Sequence, residues 1–326
     1  MACTTKFPNK QHLKSDRYKL RNWPEYNNAL KQRGSIIVWI DPECNTDWYY
    51  SGARTPGGKV VYSDLAIEVI LRIRQIYHQP LRQTQGMMED IARLLKLDVQ
   101  IPDYSVVSRR AKKLNLSIQR FTGNNVESGS NETTYMIIDS TGLKIYGEGE
   151  WSSAKHNSKP RKSWRKLHIS VGKKGDVQAV ILTDRHTDDS SQVPVMQDQM
   201  DQPVVKAIAD GAYDTRGAYE SLLKDNPNIK IVIPPRDSAV SAGDNVFDQR
   251  NKHISYIHNY GREQWEKRTE YIQQARAENT MYRYKTIIGG KLRSRHFDSQ
   301  KNEAVLSCSI LNKMASFGMP DSYKIA

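Results

Sequence analysis

The sequence predicts a two-part protein: a helical N-terminal segment, then an α/β segment with a mixed sheet flanked by helices. Three observations predict it. Apolar residues recur at helical spacing between residues 63 and 114, short apolar runs alternate with helical stretches after residue 133, and a Gly-, Ser- and Asn-rich stretch at 121–132 divides the two textures. At 326 residues the chain can hold two domains of roughly 100–200 residues each.

Residues 1–60 read as a basic arm followed by an irregular segment. The first 34 residues carry eight Lys or Arg against only Asp16 and Glu25, and an aromatic, Gly-rich stretch with Trp48, Tyr49 and Tyr50 follows. Residues 61–120 read as helical. Ser63 is placed to cap a helix with Ile67, Ile70, Leu71 and Ile76 on one face, a second periodic segment follows Pro80, and Ser105 is placed to cap a third carrying Arg109 and Arg110. Three short helices ending in a basic one fit a helix-turn-helix DNA reader, in which Arg109 and Arg110 would meet DNA; a plain helical domain with a solvated basic face fits equally.

After the linker at 121–132, residues 133–326 form the α/β part. Thr134 to Ile138 reads as a buried strand, and Lys166–Val171 with Val177–Leu182 as a hairpin around residues 173–176. Val204–Ala209 and Ile229–Ile233 are further apolar runs separated by a helical segment from Thr215 to Leu223.

Lys plus Arg number 49 against 36 Asp plus Glu, a formal charge of +13, which suits a polyanionic partner or a merely basic soluble protein. Three widely spaced cysteines, Cys3, Cys44 and Cys308, exclude a disulfide framework or paired-cysteine metal site. With no apolar signal core and no run near the roughly 20 residues that cross a bilayer, the expectation is a soluble, cytoplasmic, nucleoid-associated protein without membrane contact.

The chemistry is carried by acids. Asp139 closes the run Met136-Ile137-Ile138, and Asp210 closes Val205 to Ala209, so both are expected at strand ends on one sheet. Singly, each also fits an ordinary turn or capping aspartate. A helix read from Thr269 to Gly289 adds Glu278, with Tyr271, Gln274 and Lys285 on the same face. Taken alone, that face fits a solvated helix surface. Like charges about 4 Å apart in a half-buried site repel by roughly 4 kcal/mol a pair, so gathered carboxylates must take up protons or cations. An all-oxygen set with open positions suits Mg²⁺ or Mn²⁺, and two such ions support in-line attack on phosphorus.

Between the first two acids lies a basic patch with no acid from 151 to 166, holding Lys155, Arg161, Lys162, Trp164, Arg165 and Lys166. Cations for phosphates and indoles for stacking favour a nucleic-acid contact over a solvated loop. Asp189 fits an N-cap or a support for the metal site. His156 and His168 have no second ligand at metal spacing and read as packing or phosphate contacts.

These residues fall in longer motifs: Ile137-Ile138-Asp139-Ser140-Thr141-Gly142-Leu143-Lys144, Gly147 to Trp151, Trp164-Arg165-Lys166-Leu167-His168, Ala209-Asp210-Gly211-Ala212-Tyr213-Asp214-Thr215, Ile233 to Arg236, Ala277 to Arg283, Leu311 to Met314 and Gly318 to Pro320. From about residue 133 onward the chain resembles bacterial insertion-sequence transposases of the DDE class, in the branch called insertion sequence family five. The resemblance implies a ribonuclease-H-like core, Asp139, Asp210 and Glu278 as a triad for two Mg²⁺ or Mn²⁺ ions, and a small strand-rich insertion at about 237–267. It also implies cleavage at terminal inverted repeats, joining of 3′ ends to target DNA, and a homodimer on DNA. Its helix pattern has an arginine where this chain has Gln274, so a weaker phosphate contact, or one shifted to Arg276, is expected. The alternatives are a catalytically inactive DNA-binding protein and a metal-dependent nuclease that never joins.

Overall fold

The protein is described from a computed structural model at residues 17–40, 46–53, 59–119, 134–145 and 164–325. Strand β1 (Arg17–Leu20) precedes helices α1 (Trp23–Arg33), α2 (Ile36–Trp39), α3 (Asp64–Ile76), α4 (Leu81–Leu94) and α5 (Tyr104–Arg110). As expected, Ser63 caps α3, its hydroxyl accepting from the Ala66 amide at 3.1 Å. The third cap differs: Asp103, not Ser105, caps α5 by accepting from the Ser105 amide at 2.8 Å. An ionised carboxylate at a helix start is favoured by the helix dipole as well as by the hydrogen bond.

The central sheet has the order β4-β3-β2-β5-β6, from β2 (Thr134–Ile145), β3 (Trp164–Val171), β4 (Val177–Asp184), β5 (Val204–Ile208) and β6 (Lys230–Val232). Strands β2, β3 and β4 are antiparallel, β5 and β6 run parallel to β2, and short β7 (Lys291–Leu292) joins the far end of β2. The hairpin from β3 to β4 closes as read, with Gly175 at φ +85°, a region that favours glycine.

Strand periodicity sorts β2 between two cores. Met136 and Ile138 face one cluster with Ala207, Tyr213 and Tyr219, while Ile137 faces the other with Ile208, Ala277 and Met281. Helices lie on both faces, with α6 (Val193–Gln197) and α7 (Arg216–Asp225) on the Met136 face, giving the mixed sheet flanked by helices that the sequence implied. On the Ile137 face the longest of the described helices, α11 (Phe297–Ser316), packs against β4 and α3. Asn312 of α11 binds both the amide and carbonyl of Val177, at 2.7 and 2.8 Å, and the Gln119 carbonyl at 3.0 Å. The apolar cluster there is continuous from Ile67 and Ile70 of α3 to Leu306 and Leu311 of α11, so the helical segment and the sheet share one core.

The region expected to be a strand-rich insertion is helical instead. Helices α8 (Asp248–Tyr260) and α9 (Arg262–Thr269) occupy it, broken at Gly261 with φ +82°. Their job toward the sheet is to cover its edge. Gln249 of α8 accepts from the Ile231 amide at 2.9 Å and donates to the Ile229 carbonyl at 2.8 Å, and His253 Nε2 donates to the Ile231 carbonyl at 2.8 Å. Side chains thereby satisfy the open groups of β6, which blocks further strand pairing.

Candidate active site

Asp139 does not end a strand. It sits mid-way along the twelve-residue β2, opposite Ile169 of β3, but the parallel pairing with β5 stops two residues earlier at Ile137–Ile208. Asp139 therefore stands where β2 loses its partner on one side, and by strand alternation on the Ile137 face. Asp210 follows β5, keeps the parity of Ile208, and caps a short turn at Gly211–Tyr213 by accepting from the Ala212 amide at 3.0 Å.

The third acid arrives on the helix that packs on this same face. The helix begins later than read: Thr269 ends α9, Glu270 adopts a left-handed conformation at φ 58°, and a tight turn at Tyr271–Gln274 leads into α10 (Ala275–Arg283). Ala277 and Met281 of α10 are buried against the sheet, leaving the adjoining Glu278 exposed, with no hydrogen-bond partner among the described residues. From Tyr284 to Ile288 the helix widens into a π turn, so the seven residues from Glu278 to Lys285 are not two α-turns and the expected single face is broken there. Lys285 is exposed.

Electrostatics connects the three acids. Burial pushes the Asp139 carboxyl up to about 6; the Ser140 amide, donating at 2.7 Å, pulls it back, and the charges of Asp210, Glu278 and Asp189 push it up again. Burial first, then the charges of Asp210 and Glu278, push the Tyr271 hydroxyl up to about 12, against the opposing pull of Arg262. Tyr213, fully buried, is raised further still, by burial and then by Asp189, Asp210 and Asp139. Its hydroxyl lies near Ser140 but forms no hydrogen bond of ordinary geometry.

Asp189 is the residue that sequence reasoning placed too loosely. It does not cap the following turn; Asp188 does, bonding Ser190 and Ser191. Asp189 instead accepts from Ser140 Oγ at 3.0 Å and from Lys166 Nζ at 2.9 Å, 3.7 Å from the buried His168 ring. Lys166 also donates to the Thr187 carbonyl at 2.8 Å, so its charge is spent inside the protein. His168 packs in the sheet against Thr183 at 2.8 Å, with burial lowering its pKa.

Gln274 is the clearest departure from expectation. It is 5 % exposed, and its Nε2 donates to the Ile138 carbonyl at 2.9 Å, one residue before Asp139, while its Oε1 has no partner. The amide ties the turn before the glutamate helix to the aspartate strand. Trp164 lies over Gly142, where a Cβ would come within 3.2 Å of the indole. Arg165 binds Gln300 at 3.1 Å and covers the Phe297 ring. Arg110 binds the Tyr62 carbonyl at 2.9 Å and Asp64 at 2.5 Å, whereas Arg109 is exposed. Lys155, Arg161, Lys162 and His156 lie outside the described residues.

As placed, no group of three or more His, Cys, Asp or Glu side chains among the described residues could hold a metal ion. The donor chemistry nevertheless fits a hard divalent cation: three carboxylates whose charges meet at Asp139, beside a buried Tyr213 hydroxyl with no partner of its own. Comparison with known families decides what such a site belongs to. Residues 131–313 match the family described as a transposase DDE domain, and residues 31–148 match a second family of the same description. The chain belongs to the DDE transposases. The longer match covers Asp139, Asp210 and Glu278 together, and no helix among the described residues of this transposase is long and apolar enough to cross a membrane.

Proposed function

We propose that this transposase binds the terminal inverted repeats of its element, cuts phosphodiester bonds there and joins the 3′-hydroxyl ends to target DNA. The observation that carries the reading is the match of residues 131–313 to the transposase DDE domain, which takes in Asp139, Asp210 and Glu278; the charges of Asp210 and Glu278 acting on the half-buried Asp139 carboxyl support it. Asp139, Asp210 and Glu278 would hold two Mg²⁺ or Mn²⁺ ions, which when bound supply Lewis-acid stabilisation of the attacking and leaving oxygens. Glu278 is the adjustable member, since an exposed glutamate turns at little cost. Asp139 is the fixed one, gripped through Ser140 by Asp189 and Lys166 on one side and through Ile138 by Gln274 on the other. The Tyr213 hydroxyl, buried near Ser140, feels the charges of Asp189, Asp210 and Asp139. Arg109 and Lys285, both exposed, are the described residues of the expected DNA set best free to meet phosphate, and holding two element ends together calls for a homodimer on DNA.

The test is cleavage of a labelled terminal-repeat duplex with Mg²⁺ by Asp139→Ala, Asp210→Ala and Glu278→Ala proteins. Cleavage should vanish in each while end binding survives; full cutting by any of them refutes the assignment. A rival reading, a DNA-binding protein without catalysis, draws support from the acids' failure to form an ion-holding group as placed. Mg²⁺-dependent cutting by the wild type excludes it, and joining of precut ends separates a transposase from a nuclease.

A further inference from the structure

A cleft of about 1350 Å³ lies away from the acids, between the edge strand β6 and helices α8 and α9. Lys206 marks its inner wall, pairing with Tyr135 four positions before Asp139, so the cleft opens about 13 Å along the strands from the acids. Its cations come from three separate elements: Lys230 from β6, Lys252 from α8, and Lys267 and Arg268 from α9, all exposed.

Of the two acids that line the cleft, one is spent. Glu270 is held by Lys206 at 2.8 Å and by Gln273 at 3.1 Å, which leaves Asp248. Lys267 pairs with Glu263, but Lys230, Lys252 and Arg268 form no ion pair with a described residue. The base is rigid: His253 bridges the Ile231 carbonyl and the Trp265 indole, and Trp265 is 1 % exposed. A volume above the roughly 300–1,000 Å³ of small-molecule pockets, with cations spread over three elements rather than gathered at a point, suits a polymer of phosphates.

We propose that this cleft grips the backbone of duplex DNA flanking the bond that is cut, at a site separate from the acidic triad. The distance is compatible, since about 13 Å is the rise of roughly four base pairs. The proposal rests on the reading of the chain as a DNA-cutting transposase. It makes the edge-covering helices a second DNA-holding surface as well as a structural cap.

The experiment is fluorescence anisotropy of a labelled random-sequence duplex of about 30 base pairs with full-length protein in EDTA, over a series of NaCl concentrations. Lys252→Glu/Arg268→Glu should weaken binding about tenfold or more and flatten the slope of log affinity against log salt by about 2, the loss of two phosphate contacts. Lys31→Glu/Lys224→Glu, with the same change in net charge at exposed positions elsewhere, should change the slope little. Should the glutamate pair unfold the protein, Lys252→Gln/Arg268→Gln carries the test, with a smaller loss of the same kind.

Equal slopes for the two double variants would overturn the cleft and leave the transposase reading standing. A loss confined to a single-stranded probe would overturn the duplex assignment. No duplex binding by the wild type would sink both the cleft and the reading beneath it.

Discussion

Asp139 and Asp210 start from nearly the same sequence, an apolar run closed by an aspartate, yet occupy different physical settings. Asp139 lies within a strand whose neighbour on one side has just ended, half-buried, with its carboxyl pushed up to about 6. Asp210 lies beyond its strand and caps a turn. The difference teaches that a shared local motif can deliver two carboxylates of unlike character: one held by the sheet and costly to ionise, the other held by a local hydrogen bond.

The largest expected effect would erase that difference in function. Asp139→Asn and Asp210→Asn should each reduce cleavage of a terminal-repeat duplex by at least about 10²–10³-fold, the scale of losing one charge-stabilising group from an active site. If only one of them matters, the two aspartates do not share a site.

Next comes Gln274→Leu, which removes the tether to the Ile138 carbonyl beside Asp139. Denaturant titration should show a loss of about 1–3 kcal/mol, since a buried carbonyl loses its donor. An unchanged midpoint would mean that the bond contributes nothing to holding the strand.

The pH dependence sharpens the comparison further. With the folded carboxyl of Asp139 at about 6 against an ordinary 3.8, the native state binds the proton more tightly. Its contribution to stability is therefore full below about pH 4 and lost as pH rises to about 6, by about 1–2 kcal/mol after solvent screening. Buried His253 and His168 work oppositely: burial lowers both, so the stability they contribute is present above pH 6.5 and lost as pH falls. Unfolding in EDTA across pH 4–8 should become flatter at its acidic carboxylate limb in Asp139→Asn, while the histidine limb stays.

The smallest effect is local. Asp210→Ala should cost about 1 kcal/mol through loss of the bond to the Ala212 amide, and, since the Asp210 charge helps raise Asp139, should make the carboxylate limb of the pH profile shallower, though less so than Asp139→Asn. A larger stability loss than that of Gln274→Leu would reverse the assignment of which aspartate the tertiary structure holds.

Much of this was legible in the chain. The Ser63 cap, the hairpin at Gly175, the apolar runs of β2, β5 and β6, and the acids that follow two of them all follow from spacing and turn chemistry acting over a few residues. The insertion was misread because α8 buries none of its residues and α9 only Trp265, so neither carries the apolar stripe that reveals a helix. Asp189 was ambiguous because an aspartate before two serines fits a cap equally well. Helical spacing sets Gln274 on the face of Glu278 but carries no sign of its partner on the sheet, the Ile138 carbonyl.

By itself, the sequence determined the helices and strands with strong periodicity, the three acids and the basic character, because these depend on neighbours within a turn or two. Only the tertiary structure decided which face of β2 Asp139 takes, that Gln274 reaches the carbonyl before it, and that α8 and α9 seal the sheet edge. Those contacts join residues as far as 136 positions apart, as Gln274 and Ile138 are. Local propensity carries no information over such a separation; packing of one continuous core does.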